Sequence, residues 1–269
     1  MRSLLASPLG FLIGISLGAL GGGGSILAVP ALVYAAGQTP KHATTTSLLL
    51  VAVTAMIGII PHWRAGRVRL VPGVIFGLAG VGGSLLGSHW NKAADPNVLL
   101  ILFSALMLVA AYGMWRRVST TKKASVPKSL GGEAAPVAPA SLRVDPMTIL
   151  KVILAGTIVG LLTGFFGVGG GFVIVPALVL ALGFSMPEAI GTSLLVITIN
   201  SIVALTTRLQ AGSIEWATVI PFTIASLIGV IVGSRLAGTR DSSSLQRWFV
   251  GLLVVVAVYT AVRSGLALR

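Results

Sequence analysis

Leu20-Gly21-Gly22-Gly23-Gly24-Ser25, followed by Val29-Pro30-Ala31-Leu32-Val33, returns 146 residues later as Phe166-Gly167-Val168-Gly169-Gly170-Gly171 and Val175-Pro176-Ala177-Leu178-Val179. Each copy lies deep inside an uncharged run, Leu4 to Ala36 in the first case and Val152 to Pro187 in the second. A bilayer-spanning helix needs about 20 apolar residues, so neither run fits one straight crossing. Glycine costs a helix interior about 1 kcal/mol relative to alanine, and proline about 3. Consecutive glycines in such a run therefore predict a helix that stops and restarts, with Pro30 and Pro176 read as further helix breakers.

Outward from these copies the same register holds. Thr46-Ser47-Leu48-Leu49 aligns with Thr192-Ser193-Leu194-Leu195, Ala65-Gly66 with Ala211-Gly212, and Gly87-Ser88 with Gly233-Ser234. Shared apolar composition scatters Leu and Val matches, but it does not align prolines, glycines and Thr-Ser pairs. The reading is an internal duplication of the kind transporters carry. The N-terminal stretch Met1 to Gly24 imitates a signal peptide, with Arg2, an apolar run and small residues. Its recurrence around Val152 to Gly171 argues that it is a first membrane segment instead.

Six more uncharged stretches complete the pattern: Thr44 to Ile60, Leu70 to Ser88, Val98 to Trp115, Ala189 to Thr207, Trp216 to Ser234 and Trp248 to Val262. The expected fold is an all-α polytopic membrane protein. It has about eight hydrophobic segments in two homologous four-segment repeats, with segments 1 and 5 broken at the glycine motifs. Repeat 1 covers residues 1–115 and repeat 2 covers 148–269. Between them lies a basic linker, 116–147, rich in Pro, Ala and Gly around Lys122, Lys123, Pro127, Lys128, Gly131, Pro136 and Pro139.

Composition agrees. Hydrophobic residues make up 55% of the 269, charged residues 9%, and mean hydropathy is +0.99. A soluble domain carries about 25% charged residues, so this surface faces lipid rather than water. The net charge of +13 lies in short loops and the linker, which speaks for membrane orientation and against nucleic acid. With no cysteine, disulfides and thiol chemistry are excluded.

Two arrangements satisfy the charge rule. If both long segments cross once, Arg2, Arg64, Arg67, Arg69, Lys151, the linker, Arg208, Arg263 and Arg269 share one side, facing Lys41, Lys92, Arg235, Arg240 and Arg247. If the long segments are re-entrant hairpins, the second repeat is turned over. The Lys/Arg-rich side then still holds the Arg64–Arg69 loop and the linker, and both arrangements predict that side to be cytoplasmic. The expected location is the inner (plasma) membrane.

Chemistry enters through the breaks. A helix restarting near Ser25, and another near Gly171, presents unpaired N–H groups and a partial positive charge, which bind anions without a cationic side chain. Paired discontinuous helices point to a transporter's binding site. Candidate substrate-binding positions are Gly22, Gly23, Gly24 and Ser25 in the first repeat and Gly169, Gly170 and Gly171 in the second. The hydroxyl runs Thr45, Thr46 and Ser47, and Thr192 and Ser193, open the second helix of each repeat and either cap it or donate to an anion. Asn200 and its counterpart Thr54 lie deeper on the same helices, placed for an interhelical hydrogen bond or a ligand contact. Gly10, Gly14 and Gly18, and Gly156, Gly160 and Gly164, are spaced by four and read as helix-packing positions. His42, His62, Arg64 and Arg208 stand at segment ends, as loop charges or as steering groups for anions.

The six acidic residues, Asp95, Glu133, Asp145, Glu188, Glu215 and Asp241, all fall outside the hydrophobic stretches. Intramembrane carboxylates mark cation sites and proton relays, so their lack argues against a metal-cation carrier or proton pump and is compatible with an anion pathway; no metal and no cofactor are expected. Neither a Walker loop, nor a metal-spaced cluster, nor a nucleophile elbow is present, and no enzyme is expected.

Gly21-x-Gly23-Gly24-Ser25 with Pro30-Ala31-Leu32, and Gly167-x-Gly169-Gly170-Gly171 with Pro176-Ala177-Leu178, each followed by a Thr-Ser helix start, resemble the motif of the TauE/SafE sulfite exporter family. The resemblance spans nearly the whole chain. It implies an anion transporter for sulfite, sulfonates such as sulfoacetate, thiosulfate or related organic anions, with these glycines and prolines as the matching positions. The first repeat has Gly22 and Ser25 where the second has Val168 and Gly171, so the half-sites differ. Expected partners are a small anion and membrane lipid, with homodimerisation left open. An anion channel, a carrier of another organic anion and a non-transporting membrane subunit are the alternatives.

Overall fold

A computed structural model describes residues 2–34, 37–38, 40–91, 96–124, 146–166, 171–208 and 216–267. Among them the chain forms ten helices: α1 (Arg2–Leu20), α2 (Gly23–Tyr34), α3 (Pro40–Arg64), α4 (Leu70–Asn91), α5 (Pro96–Ala124), α6 (Pro146–Phe166), α7 (Gly171–Leu180), α8 (Met186–Arg208), α9 (Trp216–Thr239) and α10 (Ser242–Ala267). The eight hydrophobic segments account for all ten, because the first divides into α1 and α2 and the fifth into α6 and α7. Six helices are long and apolar enough to cross a membrane by length and composition, starting with Thr45–Arg64 and Leu70–Trp90. Helix α5 continues through Arg116 and Arg117 to Ala124, and the rest of the linker lies outside the described residues.

The first break falls at Gly21 and Gly22. Gly21 adopts φ +69°, a left-handed conformation that a side chain would strain, and its N–H closes the last turn of α1 on the Leu17 carbonyl at 2.8 Å. Beyond it the chain doubles back. A Cβ on Gly24 would lie 2.6 Å from both the Ile13 carbonyl oxygen and the Leu17 nitrogen, although Ile13 is three turns earlier in α1. So α1 and α2 form a hairpin. Pro30 and Pro176 do not mark the breaks: α2 runs on past position 30, and Pro176 sits buried inside α7. Neighbouring helices let a membrane helix tolerate an internal proline, whereas a left-handed glycine turns the chain outright.

Glycine spacing decides which helices touch. On α1, a Cβ at Gly10 would stand 2.9 Å from the Phe222 carbonyl oxygen, while Gly14 and Gly18 abut the Ser226 and Val230 carbonyls of α9. Gly229 and Gly233 return the favour against Phe11 and Ile15, and Ser226 Oγ donates to the Gly10 carbonyl at 2.8 Å. On α6, Gly156, Gly160 and Gly164 meet Phe76, Gly80 and Ser84 of α4, with Gly83 and Gly87 closing the seam from the other side. Both seams run parallel, and backbone meets backbone because no Cβ intervenes.

Corresponding helices of the two halves run antiparallel. His62, at the end of α3, packs on Gly191 near the start of α8, and Gly58 on Leu194. Gln246, early in α10, donates to the Met114 carbonyl late in α5 at 2.9 Å. Shifting the numbering by 146 exchanges the α1–α9 seam with the α6–α4 seam and maps α3 onto α8 and α5 onto α10. The second half is therefore turned over relative to the first, which is the re-entrant arrangement of the two considered above. The core lies among α1, α2, α7, α8 and α10, with Leu17, Leu32, Phe172, Leu178, Ala189 and Phe249 fully enclosed.

Candidate functional site

The first residues of α2 and α7 meet. A Cβ on Gly22 would overlap the carbonyl of Gly171, and one on Gly171 would overlap Ser25 Oγ and stand 3.1 Å from the Gly22 Cα. The N-terminal turns of α2 and α7, from opposite halves, thus abut at their first residues. Gly22 acts as the N-cap of α2: its carbonyl accepts from the Ser25 N–H at 3.3 Å and the Ser25 Oγ at 2.7 Å. The N–H groups of Gly23 and Gly24 fall in the first turn, where a helix has no carbonyl to offer them. Both glycines are buried, Gly24 against α1 and Gly23 against Leu252 and Phe249 of α10. Gly169 and Gly170 lie outside the described residues.

Helix α8 joins the same point. A Cβ on Gly21 would overlap Ser193 Oγ and come within 3.3 Å of Ile190. Ser193, wholly buried, donates its hydroxyl hydrogen to the Ile190 carbonyl at 2.8 Å, and its oxygen keeps acceptor capacity. Four predicted positions, Gly22, Ser25, Gly171 and Ser193, therefore converge around Gly21. Thr45, Thr46 and Ser47 are likewise buried in α3.

The Thr-Ser pairs do not open their helices. α3 begins at Pro40 and α8 at Met186, so Thr45–Ser47 and Thr192–Ser193 occupy the second turn. Ser185 and Glu188 cap α8 instead. Glu188 Oε2 accepts from the Ser185 N–H at 3.1 Å and from Ser185 Oγ at 2.9 Å. This is the Glu half of a Ser-x-x-Glu capping box, a spacing legible in the chain. The other Glu188 oxygen takes Arg69, whose Nε stands 2.9 Å away and whose Nη2 closes an ion pair. Thr192 Oγ1 accepts the Arg69 backbone N–H at 3.1 Å. The loop between α3 and α4 is thereby clamped over the start of α8.

Asn200 lies beside Gly80 of α4, 3.6 Å from where a Cβ would stand, and its buried Oδ1 has no hydrogen-bond partner among the described residues. Its counterpart Thr54 donates within α3, to the Leu50 carbonyl at 2.5 Å. Arg117 caps the far end of α7, donating to the Val179 carbonyl and to the Gly183 carbonyl at 3.3 Å, where a helix C-terminus favours positive charge.

His62 departs most from its sequence reading. It sits at the end of a segment, in Pro61-His62-Trp63-Arg64, yet is 1% exposed. Its Nε2 lies 3.2 Å from the Gly18 carbonyl, one turn before the break.

The meeting of α2 and α7 N-termini from halves turned over relative to each other, inside a bundle with an apolar exterior, fits a polytopic membrane protein. Residues 6–260 match the model of the sulfite exporter TauE/SafE family, and the chain belongs to that family. A probable membrane transporter protein of Xylella fastidiosa (strain 9a5c) is 36% identical over 96% of this chain and 95% of its own length. The Bacillus subtilis probable membrane transporter protein YunE is 23% identical over 95% and 92%. In Escherichia coli the probable membrane transporter protein YfcA is 27% identical over 90% and 82%. No solved structure matches.

Proposed function

We propose that this chain is a secondary transporter that moves small sulfur-containing anions, such as sulfite, sulfoacetate or related organosulfonates, across the inner membrane. The observation that carries this is the contact of Gly22 with Gly171, which sets the N-termini of α2 and α7 against each other. Each end offers first-turn N–H groups and the positive pole of a helix dipole, and two such ends at one point suit an oxyanion with oxygens on several sides. The hydroxyls of Ser25 and Ser193, which here donate to the Gly22 and Ile190 carbonyls, would exchange those bonds for donation to bound oxygens. In this reading no cationic side chain is needed to hold the anion.

Turned-over halves give the site two symmetric exits. In this reading α1 and α2 close the site toward one side and α6 and α7 toward the other, and rocking of one half against the other would open it alternately. The Arg64–Arg69 loop and the linker are assigned to the cytoplasm by the Lys/Arg rule.

The test is uptake of radiolabelled sulfite and sulfoacetate by liposomes containing the purified protein. Saturable uptake of either, with counterflow, is the expected result. Flux without saturation or counterflow would make the protein a channel. No flux of either would move the substrate to another organic anion or leave a non-transporting subunit.

A further inference from the structure

His62 touches two helices that flank the proposed anion site, α1 and α8. Its Nε2 meets the Gly18 carbonyl, one turn before Gly21, and its Cβ stands 3.1 Å from where a Cβ on Gly191 would be, two residues before Ser193. A carbonyl only accepts, so Nε2 carries the hydrogen, and in the neutral ring Nδ1 is then a bare lone pair. That Nδ1 is buried and has no hydrogen-bond partner among the described residues.

We infer that His62 is the proton carrier of the transport cycle, taking a proton on Nδ1 when the anion binds and releasing both on the far side. The inference rests on the anion-transport reading and adds the coupling ion to it. Protonation leaves the Gly18 bond intact and turns Nδ1 into a donor that needs an acceptor. The charged groups around it supply none. Arg67 follows in the adjoining loop, and on α8 Glu188 is already engaged by Arg69. Along Gly10–Leu20 of α1 there is no titratable residue, and Arg235 of α9 is exposed. A substrate oxyanion one turn away is the complementary charge. Proton and anion therefore stabilise each other, and for a monoanion the pair crosses as a neutral unit.

A sulfonate stays ionised across the physiological range, so methanesulfonate separates a proton on the protein from one on the substrate. In proteoliposomes, wild-type accumulation should approach about tenfold per unit of inward proton gradient for one proton per anion. His62→Gln keeps a donor for Gly18 but cannot titrate. It should accumulate no anion under the gradient while its counterflow exchange, which moves no net proton, persists. A purely structural role predicts loss of both together, and that result would overturn the inference. So would gradient-driven accumulation by His62→Gln equal to wild type. As a check independent of folding of the variant, adding methanesulfonate to lightly buffered wild-type protein should take up close to one proton per anion bound, read with an indicator dye. Binding without proton uptake sinks the assignment. Wild-type protein that moves none of sulfite, sulfoacetate and methanesulfonate sinks the transport reading instead.

Discussion

At Gly22 a single methyl group decides the matter, because its Cβ would overlap the Gly171 carbonyl and neither backbone can retreat as a flexible side chain would. Overpacking of a tight contact costs about 1–3 kcal/mol, and here the cost falls on the tips that would bind the anion. Gly22→Ala should therefore cut initial uptake at least about tenfold, a factor worth about 1.4 kcal/mol, while the protein still reaches the membrane. Gly82→Ala and Gly251→Ala are the matched controls, since nothing lies within 4 Å of either added Cβ. They should leave uptake unchanged and raise the melting temperature slightly, alanine being favoured over glycine in a helix by up to about 1 kcal/mol. Wild-type uptake by Gly22→Ala would remove the breaks from the binding site. The glycine run was legible because helix propensity alone forbids four glycines at the middle of an ordinary membrane helix. His62 was not, since a histidine between a proline and Trp63-Arg64 reads as a loop residue until the neighbouring hairpin is seen to cover it.

Gly14 and Gly160 occupy the centres of the two parallel seams, against Ser226 of α9 and Gly80 of α4. Valine at either position must push two backbones apart, and in a membrane no hydrophobic effect draws the helices back together. Gly14→Val and Gly160→Val should each lower the detergent melting temperature, by equivalents of about 1–3 kcal/mol, and to similar extents if the seams are equivalent. A large drop for one and none for the other would deny that equivalence. Spacing by four announced these residues as packing positions. It said nothing of the partner, which in both cases belongs to the other half of the chain and is reached only by folding. A second element-level test concerns the clamp on α8. Glu188→Gln gives up the Arg69 ion pair and weakens the capping box, a change worth about 1 kcal/mol for a partly exposed pair. Hydrogen exchange at the backbone amides of Arg67 and Arg69 should quicken. Unchanged exchange would mean that the Thr192 hydroxyl alone secures the loop. The Ser185-x-x-Glu188 signal was present in the sequence, but the Thr192-Ser193 pair, repeated in both halves, drew the helix start several residues too late.

For the whole molecule, orientation is the property that pattern reading left open and packing resolves. Moving Lys and Arg between the two arrangements changes their distribution little, because the residues that switch sides nearly cancel. Antiparallel contact of α3 with α8, and of α5 with α10, does not cancel, and it puts the turn between α9 and α10 at the same end as the loop between α3 and α4. Tryptophans mark the two ends as membrane interfaces do: Trp63, Trp115 and Trp248 lie at the first, Trp90 and Trp216 at the other, all five about half exposed. The chain has no cysteine, so single cysteines report on sidedness without background. Ala65→Cys, His89→Cys and Asp241→Cys all place the thiol at exposed positions. If both long segments crossed the membrane once, Asp241 would share a side with His89 and oppose Ala65. With hairpins entering from opposite faces, Asp241 joins Ala65, and a membrane-impermeant thiol reagent applied to intact cells should label His89→Cys alone, reaching the other two only after permeabilisation. Labelling of Asp241→Cys together with His89→Cys would dismantle the turned-over architecture, and with it the meeting of α2 and α7 from which the anion site is built.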